Sequence, residues 1–437
     1  MRGEIFLPGD KSIAHRSIII SAISHGITKI ENFPANKDCL STIRAFKKLG
    51  VRITKASSAV TVNGAGLLGL KKHKGSILLG DSGTTLRLIL GVLAGQNFGA
   101  KLVAGQSLSQ RPMLRVTKPL RMMGAVIKSK VRREKAKIEE YPPITIKGGD
   151  LKPITYRMPV ASAQVKSAIL LAGLYAPGIT RVIEPVRTRD HTERMLELFK
   201  ADIKVHKNII VINGGRELVS PGTLTIPGDI SSAAFFIVLA AIMPDSRLLI
   251  KNLGLNPLRT GIIRVLKKMG AKIQVSGVRC QVSGTEPIGD ILVKSSALKG
   301  TIVRKEEIPS LIDELPILMV AAANAKGKTV FEGVSELRVK ETDRIKSMFH
   351  NLKRMGAKIE ISTIDHRPST TKPIESIVIE GVKQLKGAKV RSFGDHRTAM
   401  SMVIAGLSAS GKSKIDDISC IDKSFPGFLK VLKSLLK

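Results

Sequence analysis

A nine-residue pattern that recurs five times constrains the fold of this chain more than any other feature of its sequence. Each copy combines apolar residues at helical spacing with charged ones, turns at a glycine or, once, at Lys200, and ends on strand-forming residues. The copies are AFKKLGVRI (45–53), PLRMMGAVI (119–127), MLELFKADI (195–203), VLKKMGAKI (265–273) and NLKRMGAKI (351–359). Such a period indicates a chain built from similar supersecondary units that bury their apolar faces against one another.

A second series of short segments alternates with these copies. In the first of them Asp10 and Ser12 are helix-capping residue types, and Ile13–Ile23 is apolar on nearly every face, which predicts a helix that is buried all round. Five further small-residue helices are predicted to open at Asp81-Ser-Gly-Thr-Thr, Ser162-Ala-Gln-Val-Lys-Ser, Asp229-Ile-Ser-Ser, Ile312-Asp-Glu and Gly394-Asp-His-Arg. With an amphipathic helix at Phe428–Leu436 as the last copy, we predict six units, each with one buried helix, one amphipathic helix and intervening strands.

The two halves of the chain echo each other. Ile226-Pro-Gly-Asp-Ile-Ser-Ser resembles Leu7-Pro-Gly-Asp-Lys-Ser, although Ile230 stands where Lys11 would be. A chain of 437 residues is long for a single hydrophobic core. We therefore predict an α/β protein of two three-repeat domains, the first formed by residues 11–226 and the second by residues 1–10 plus 227–437.

The formal net charge of +36 makes nucleic-acid binding an alternative function. Two features count against it: aromatic residues make up only 3% of the chain, so stacking platforms are scarce, and the basic residues are spread over every repeat. The densest basic run, Lys128–Lys137, fits a solvated hairpin better than a groove-binding segment. A filter-binding titration against salt would separate a nucleic-acid binder from an enzyme of anionic substrates.

Three further patterns bear on location and cofactors. Charged and turn residues interrupt the first eleven positions, so no signal-peptide core is expected, and the longest apolar run, Ala233–Met243, is shorter than the ~20 residues of a membrane span. Cys39, Cys280 and Cys420 are scattered, which predicts no disulfide framework and fits a reducing cytosol. Histidine and cysteine show no metal-ligand spacing. We expect a cytoplasmic protein with no metal, no cofactor and no membrane contact.

Charged residues stand at several of the predicted helix starts. Cations there oppose the helix dipole at a cost of roughly 0.3–1 kcal/mol each, yet cations beside free N–H groups form a ready anion site. If the buried helices pack side by side, their N-termini would point into one cleft suited to phosphates and carboxylates. The cations are Lys11, Arg16, Arg111, Lys340, Arg344, Arg397 and Lys423, with the acids Asp313 and Glu341 among them.

The two acids allow a functional and an ordinary interpretation. Surrounding cations favour ionised carboxylates that act as bases, and no nucleophile with a suitably spaced base emerges, so the pattern predicts proton transfer between two small anions without a metal. Asp313 and Glu314 in the first turn of an Ala-rich helix also match the general preference of acids for helix N-termini. Residue types and spacing leave both interpretations open and do not name a reaction.

Seven motifs, taken in order along the whole chain, resemble one family: LPGDKSIAHR, GDSGTTLRL, SQRPM, SAQVKSAILLAGL, LRVKETDR, FGDHRTAM and DKSFPGF. The family is EPSP synthase, the 3-phosphoshikimate 1-carboxyvinyltransferases, and the SGTT and SAQVKSA forms are similar to its second class. The resemblance implies two domains of three βαβαββ-type units with buried parallel helices, arranged as an inside-out α/β barrel. It also implies a cytoplasmic, monomeric, cofactor-free transferase of the shikimate pathway, which leads to chorismate and the aromatic amino acids, and a target of glyphosate.

The implied reaction transfers the enolpyruvyl group of phosphoenolpyruvate to the 5-hydroxyl of shikimate 3-phosphate and releases phosphate. By resemblance, Asp313 takes the hydroxyl proton, Glu341 serves proton transfer at the enol methylene, and Lys11 completes the catalytic set. Shikimate 3-phosphate would contact Lys11, Ser12, Arg16, Ser162, Gln164, Arg189, Asp313 and Lys340. Phosphoenolpyruvate would contact Lys11, Gly83, Arg111, Gln164, Arg344, Arg397 and Lys423.

The chain departs from the family pattern at Asp81, Ala163 and Glu336, where many members have Asn, Ser and Asn. Each departure puts one polar substrate contact in doubt without touching the proton-transfer residues. The nearest rival is the sister enzyme that transfers enolpyruvyl to UDP-N-acetylglucosamine, which usually carries a reactive cysteine in the loop here spanned by residues 104–115. That loop contains no cysteine.

Overall fold

The computed structural model of the protein describes residues 1–134, 137–280, 285–364 and 374–436. The chain divides into two compact units. The first unit comprises Gly9–Pro227 together with Cys280, Thr285 and Glu286, the described residues of the segment Cys280–Glu286. The second comprises Met1–Pro8, Gly228–Arg279 and Pro287–Lys437. The chain thus passes from the second unit to the first after Pro8 and returns after Pro227.

The α-helices of the described chain alternate between two kinds. The odd-numbered ones are built from small and apolar residues and are almost wholly buried, whereas the even-numbered ones carry a charged face. The first unit holds α1 Lys11–Ala22, α2 Lys37–Lys48, α3 Gly83–Ala94, α4 Leu114–Met122, α5 Ala163–Gly173 and α6 His191–Leu198. The second holds α7 Ile230–Ile242, α8 Gly261–Lys268, α9 Leu315–Ala323, α10 Arg344–Arg354, α11 His396–Ser408 and α12 Phe428–Leu435.

The first unit contains three four-stranded sheets with one common pattern, in which the first two strands are parallel and the other neighbours are antiparallel. In spatial order, the strands of the first sheet are Thr223–Thr225, Ile27–Glu31, Ala59–Asn63 and Arg52–Ala56. Those of the second sheet are Ser76–Leu78, Gly99–Val103, Lys137–Lys147 and Val126–Glu134. Those of the third sheet are Thr155–Arg157, Gly178–Ile183, Ile209–Gly214 and Asp202–His206. A short parallel pair joins Leu218–Val219 and Ser24–His25. The predicted basic hairpin is present, although Lys135 and Ala136 lie outside the described residues.

The second unit repeats this pattern in two sheets. Their strands, in spatial order, are Arg2–Phe6, Arg247–Gly254, Ile288–Lys294 and Lys272–Arg279, and then Ile302–Val303, Lys328–Glu332, Ile374–Glu380 and Lys358–Ile364. The sixth repeat is reduced to two short parallel strands, Lys389–Val390 and Lys414–Ile415, with α11 and α12. The predicted α/β class of repeated units is confirmed.

Two strands are exchanged between the chain halves. Arg2–Phe6 immediately precedes α1 of the first unit but pairs with Arg247–Gly254 of the second. Conversely, Thr223–Thr225 precedes α7 of the second unit but pairs with Ile27–Glu31 of the first. The strand that precedes α1 in the sequence therefore completes the first sheet of the second unit, and the strand that precedes α7 completes the first sheet of the first unit.

Each unit has its own hydrophobic core around its three buried helices, which pack against one another. In the second unit an aromatic group strengthens this core, since the rings of Phe236 and Phe428 lie 5.4 Å apart between centroids. Within the described ranges, no helix combines the length and hydropathy needed to cross a membrane. Packing the buried helices side by side brings their polar first turns together within each unit.

Candidate active site

The first turn of α1 carries two of the predicted binding residues. Asp10 caps the helix, because its carboxylate accepts a hydrogen bond from the N–H of Ile13 at 3.0 Å, as the sequence predicts. Lys11 is the first helical residue, and its Nζ lies 3.2 Å from Oδ2 of Asp38. Ser12 follows and contributes its carbonyl to the neighbouring Arg16. The carboxylate of Asp10 thus caps the positive helix end, and that of Asp38 pairs with the Lys11 ammonium.

Arg16 is a buried cation whose described partners are all neutral. Its Nε donates to Oγ1 of Thr192 at 2.6 Å, its Nη2 to Oγ of Ser167 at 2.9 Å, and its Nη1 to the carbonyl of Ser12 at 2.8 Å. Burial lowers the pKa of Arg16 to about 10, while Glu193 partly offsets this effect. The guanidinium remains charged at neutral pH, and its charge is available to attract an anion.

A buried ion network that the sequence analysis missed supports this arginine. Lys166 is fully buried in α5, with Nζ 3.0 Å from Oε2 of Glu184 and 2.7 Å from Oε1 of Glu193. Burial raises the pKa of Glu193, and the positive charge of Lys166 partly offsets this increase. Glu193 follows Thr192 in α6, so the network fixes the segment that holds Arg16. The available signal was a single charged residue, Lys166, inside an otherwise uncharged helix.

Arg189 lies just before α6 and is half-buried. Burial is the main cause of the lowered pKa of Arg16, and the positive charge of Arg189 lowers that pKa further. The two guanidinium groups therefore share one electrostatic environment. The structure therefore brings this predicted residue near Arg16.

The starts of α3 and α5 are joined through Gln164. Its Oε1 accepts from Nη1 of Arg87 at 2.6 Å, and its Nε2 donates to Oγ1 of Thr84 at 2.9 Å. Ser162 caps α5, with Oγ accepting from the N–H of Val165 at 3.4 Å. Arg87 was not predicted as a site residue, although an arginine in the buried helix that follows GDSG was a usable signal.

Gly83 and Arg111 are brought into contact distance. A Cβ built on Gly83 would lie 2.8 Å from Nη1 of Arg111 and 3.2 Å from Nη1 of Arg87. Both arginines are buried. The glycine at the start of α3 therefore lets two guanidinium groups approach the helix N-terminus, which is an arrangement suited to an anion.

Asp81 orders the loop that leads to Arg111. Its Oδ1 accepts the backbone N–H groups of Ser107 at 3.0 Å and Leu108 at 3.1 Å. An Asn side chain also offers an oxygen acceptor, so the departure from the family pattern at this position preserves the contact that anchors the loop.

A second cluster lies in the second unit and is centred on Arg344, the first residue of α10. Its side chain binds three carboxylates: Nε lies 2.8 Å from Oδ2 of Asp395, Nη1 3.3 Å from Oδ1 of Asp313, and Nη2 2.5 Å from Oε2 of Glu341. Burial works against the charge, but these three acids outweigh it and raise the pKa of Arg344. Both predicted proton carriers thus share one guanidinium.

Asp395 serves this cluster twice, and sequence reasoning did not assign it a role. Its Oδ1 caps α11 by accepting the N–H groups of Arg397 at 2.7 Å and Thr398 at 3.3 Å. Its Oδ2 holds Arg344. The polar sequence GDHR at the start of α11 signals the capping role of Asp395, but its pairing with Arg344 involves a residue of another repeat.

The ordinary interpretation of Asp313 and Glu314 as first-turn acids is wrong. The helix α9 begins at Leu315, Glu314 occupies the N-cap position without a side-chain capping bond, and Asp313 precedes it. Asp313 instead faces two arginines, because Nη2 of Arg397 lies 3.7 Å from its Oδ2 and Nη1 donates to its carbonyl at 2.9 Å. Pairing with guanidinium groups, rather than with the helix dipole, sets the position of these carboxylates.

Lys340 and Lys423 complete the set predicted for this unit. Lys340 follows the 3-10 helix Ser335–Val339, and burial lowers its pKa to about 8 although Asp313 and Glu336 act in the opposite direction. Glu336, one of the departures from the family pattern, thus acts on a predicted binding residue. Lys423 ends the 3-10 helix Ser419–Lys423, which packs against α11.

One group of metal-type ligands occurs in the described part of the chain. Asp190, His191 and Glu286 place ligand atoms within 4.8 Å of one another. The atoms already have protein partners, since His191 Nδ1 lies 2.6 Å from Oε1 of Glu286 and Arg194 Nε donates to Oδ2 of Asp190 at 3.0 Å. The neighbouring guanidinium disfavours a cation at this position.

Comparisons with known proteins show which family this chain is similar to. The family model described as EPSP synthase (3-phosphoshikimate 1-carboxyvinyltransferase) matches residues 1–432. Proteins named 3-phosphoshikimate 1-carboxyvinyltransferase from Desulforamulus reducens and Geobacter sp. (strain M21) are 45% and 47% identical over 437 residues, covering 100% of this chain and 97% of each relative. A solved structure of EPSP synthase from Acinetobacter baumannii is 43% identical with a TM-score of 0.83, covering 99% of this chain and 95% of that one.

Proposed function

This chain belongs to the EPSP synthase family, and from that premise we propose which of its residues perform each step of the reaction. The protein is a transferase of the shikimate pathway: it transfers the enolpyruvyl group of phosphoenolpyruvate to the 5-hydroxyl of shikimate 3-phosphate and releases phosphate. The relatives' names do not favour the UDP-N-acetylglucosamine or nucleic-acid alternatives.

The first-unit cluster, in this proposal, binds anions. Lys11, Ser12 and Arg16, with Ser162, Gln164 and Arg189, hold shikimate 3-phosphate. Gly83 and Arg111, with Gln164 and Lys11, hold phosphoenolpyruvate. Supporting observations are the buried Arg16 with neutral partners and the approach of Arg111 to the glycine at the start of α3. Charge-assisted bonds from guanidinium groups to phosphate or carboxylate are about twice as strong as neutral ones.

The second-unit cluster supplies proton transfer. Asp313 takes the proton from the 5-hydroxyl of shikimate 3-phosphate as the 5-oxygen attacks C2 of phosphoenolpyruvate. A proton delivered through Glu341 reaches C3 of phosphoenolpyruvate, and the product of the addition is a tetrahedral ketal phosphate. Elimination then returns the C3 proton and breaks the C2–O bond to phosphate. Arg344, Arg397 and Lys423 hold phosphoenolpyruvate, and Lys340 holds shikimate 3-phosphate with Asp313. Lys11 supports charge development on the leaving phosphate.

One observation carries this assignment: Arg344 binds both Asp313 and Glu341, so a single fixed guanidinium orients the two proposed proton carriers. A carboxylate must lie within hydrogen-bond reach of the proton it moves, and a common anchor fixes both positions before substrates arrive. The same guanidinium can then compensate charge on phosphoenolpyruvate.

A phosphate-release assay tests the proposal. Purified protein should release phosphate when shikimate 3-phosphate and phosphoenolpyruvate are both present, and not when either is omitted. Proton NMR of the product should show the enolpyruvyl methylene attached through the 5-oxygen. Release without shikimate 3-phosphate, or none with both substrates, would contradict the proposed chemistry.

We further propose that the enzyme acts as a monomer in the cytoplasm. Cys39, Cys280 and Cys420 are free thiols, and the exposed Cys280 suits a reducing compartment. Light scattering after size exclusion should give the 47.1 kDa mass of one chain, and a stable mass of two chains would overturn the monomer assignment.

A further inference from the structure

Glu314 is a fully buried carboxylate that the proposed steps do not use. It stands directly after Asp313, at the N-cap position of α9, but its side chain makes no capping bond. Its Oε1 accepts a short hydrogen bond from the hydroxyl of Ser231, in the first turn of α7. The same oxygen lies 3.7 Å from Nη1 of Arg397.

A second buried guanidinium faces Glu314 from another side. Nη1 of Arg259 lies 4.0 Å from Oε1 of Glu314, and its Nη2 donates to Oγ of Ser231 at 2.8 Å and to Oδ1 of Asp229 at 3.4 Å. Arg259 is 2% exposed. Glu314 therefore stands between two guanidinium groups, of which only Arg397 belongs to the proposed substrate site.

Arg397 stands between the carboxylates of two adjacent residues. Its Nη1 donates to the carbonyl of Asp313 at 2.9 Å and lies 3.7 Å from Oε1 of Glu314, while its Nη2 lies 3.7 Å from Oδ2 of Asp313. Both 3.7 Å separations are outside hydrogen-bond range, so the guanidinium forms a tight pair with neither carboxylate. The Asp313 carbonyl fixes Nη1, and the charge of Glu314 balances the attraction of the proposed base.

We propose that Glu314, buttressed by Arg259 and Ser231, is a positioning residue that fixes Arg397 for phosphoenolpyruvate and keeps it from pairing closely with Asp313. The inference rests on the proposed function, which assigns Arg397 to that substrate. It concerns a residue that touches neither substrate in the proposed roles. Removing the charge of one partner in a buried cluster weakens the compensation of the others, so Arg397 would move toward its remaining carboxylate, whereas Arg259 keeps Asp229.

Without the Glu314 charge, the nearest acid left to Arg397 is Asp313. The guanidinium would turn toward that carboxylate, which both misplaces the phosphoenolpyruvate contact and ties up the base. Glu314→Gln keeps the size of the side chain and removes its charge. It should raise KM for phosphoenolpyruvate by about tenfold or more, because small displacements of positioning groups cost up to ~10²-fold. KM for shikimate 3-phosphate should change less, by no more than a few-fold, since Asp313 is the one proposed contact of that substrate that Arg397 would engage.

A double variant separates positioning from stability. Arg259→Met combined with Glu314→Gln removes the buried cation that loses the Glu314 charge, so any part of the melting-temperature loss that this cation causes is relieved. If Glu314 positions Arg397, KM for phosphoenolpyruvate stays raised in the double variant. If KM recovers together with the melting temperature, or is unchanged in Glu314→Gln, the inference is wrong.

Ser231→Ala is the milder variant should Glu314→Gln fail to fold. It removes one hydroxyl donor to Glu314 but keeps the carboxylate charge, so it should raise KM for phosphoenolpyruvate by about threefold, less than Glu314→Gln; an unchanged KM overturns the inference. Wild type is assayed beside the variants. A wild type that releases no phosphate from both substrates refutes the proposed function, whereas an active wild type with unaffected variants refutes this inference alone.

Discussion

Each unit of the molecule places one buried arginine at the centre of its polar cluster, but the two arginines have opposite partners. Arg16 of the first unit binds two hydroxyls and a carbonyl, and burial lowers its pKa to about 10. Arg344 of the second unit binds three carboxylates, which raise its pKa against the effect of burial. Similar repeats thus create two different electrostatic environments.

The difference indicates a division of labour. A cation with neutral partners keeps its charge available for a ligand and is suited to capturing anions. A cation shared by three carboxylates also orients those carboxylates for chemistry. Removing the proposed proton carriers Asp313 and Glu341 from the second cluster should therefore affect turnover, and removing Arg16 from the first should affect binding.

The largest effect is expected in the second cluster. Glu341→Gln and Asp313→Asn keep side-chain size but remove a proton carrier, so turnover should fall by ~10²–10⁴ while binding of shikimate 3-phosphate stays within a few-fold. Steady-state phosphate release and calorimetric titration measure the two quantities. Asp343→Asn is the matched control, because Asp343 caps α10 and pairs with the exposed Arg338. Near-normal turnover in either variant would return that acid to a structural role.

The opposite result is expected in the first cluster. Arg16→Gln removes a charge-assisted contact of roughly 1.5–3 kcal/mol, so the Kd of shikimate 3-phosphate should rise by about 10–100-fold. At saturating substrate the turnover should change little, because the contact is present in ground and transition states alike. Arg121→Gln, which breaks the ion pair with Glu140 in the same unit, is the control. Unchanged affinity would remove the contrast between the two clusters.

Gly83 tests how closely the first cluster fits its anion. Its φ lies outside the left-handed region, so alanine is compatible with the backbone, but the new Cβ would displace the Arg111 guanidinium. Glyphosate is longer than phosphoenolpyruvate, with which it competes in this family. Gly83→Ala should weaken its inhibition by more than about tenfold, or ~1.4 kcal/mol, and phosphoenolpyruvate binding by less.

Paired inhibition curves and thermal melts on the same preparation measure this effect. Gly149→Ala is the control, since a Cβ there meets nothing within 4 Å. Equal weakening of both ligands, or a lower melting temperature with unchanged selectivity, would reject the steric account.

The smallest effect concerns pH. Burial lowers the pKa of Lys340 to about 8, so its ammonium loses its proton as the pH rises through that value, whereas the substrate phosphate is already doubly ionised. The Kd of shikimate 3-phosphate should therefore rise above about pH 8, by at most about tenfold per pH unit. Calorimetry across this range measures the slope. Lys340→Arg stays charged and should flatten it; a flat wild-type profile would show that Lys340 does not bind the phosphate.

Local features of the sequence predict much of this molecule. Repeat periodicity and capping residues such as Asp10 and Ser162 are encoded within a few positions, and the structure places helices where they indicate. The start of α9 is the exception, because Asp313 and Glu314 look like dipole-stabilising acids until their arginine partners are known. The interpretation of these acids as partners of arginines depends on Arg344 and Arg397, which lie far away along the chain.

The polar networks are the part that spacing could not supply. Lys166 of α5 meets Glu193 of α6, and Arg344 of α10 meets Asp395 at the start of α11, only because separate helices pack together in the fold. Residue types signal that such charges need partners, since an unpaired buried charge is costly. Which partner each one finds is a property of tertiary packing.

The exchanged strands affect the order in which the protein can assemble on the ribosome. Arg2–Phe6 is synthesised before the first unit, yet the strand it pairs with, which contains Arg247, leaves the ribosome on the order of ten to fifty seconds later at bacterial or eukaryotic elongation rates. The segment Gly9–Pro227, which holds the strands of the first unit, is synthesised between the two. Arg2–Phe6 therefore cannot form its final pairing until that segment has been made, and the second unit can close its first sheet only after Arg247–Gly254 has left the ribosome.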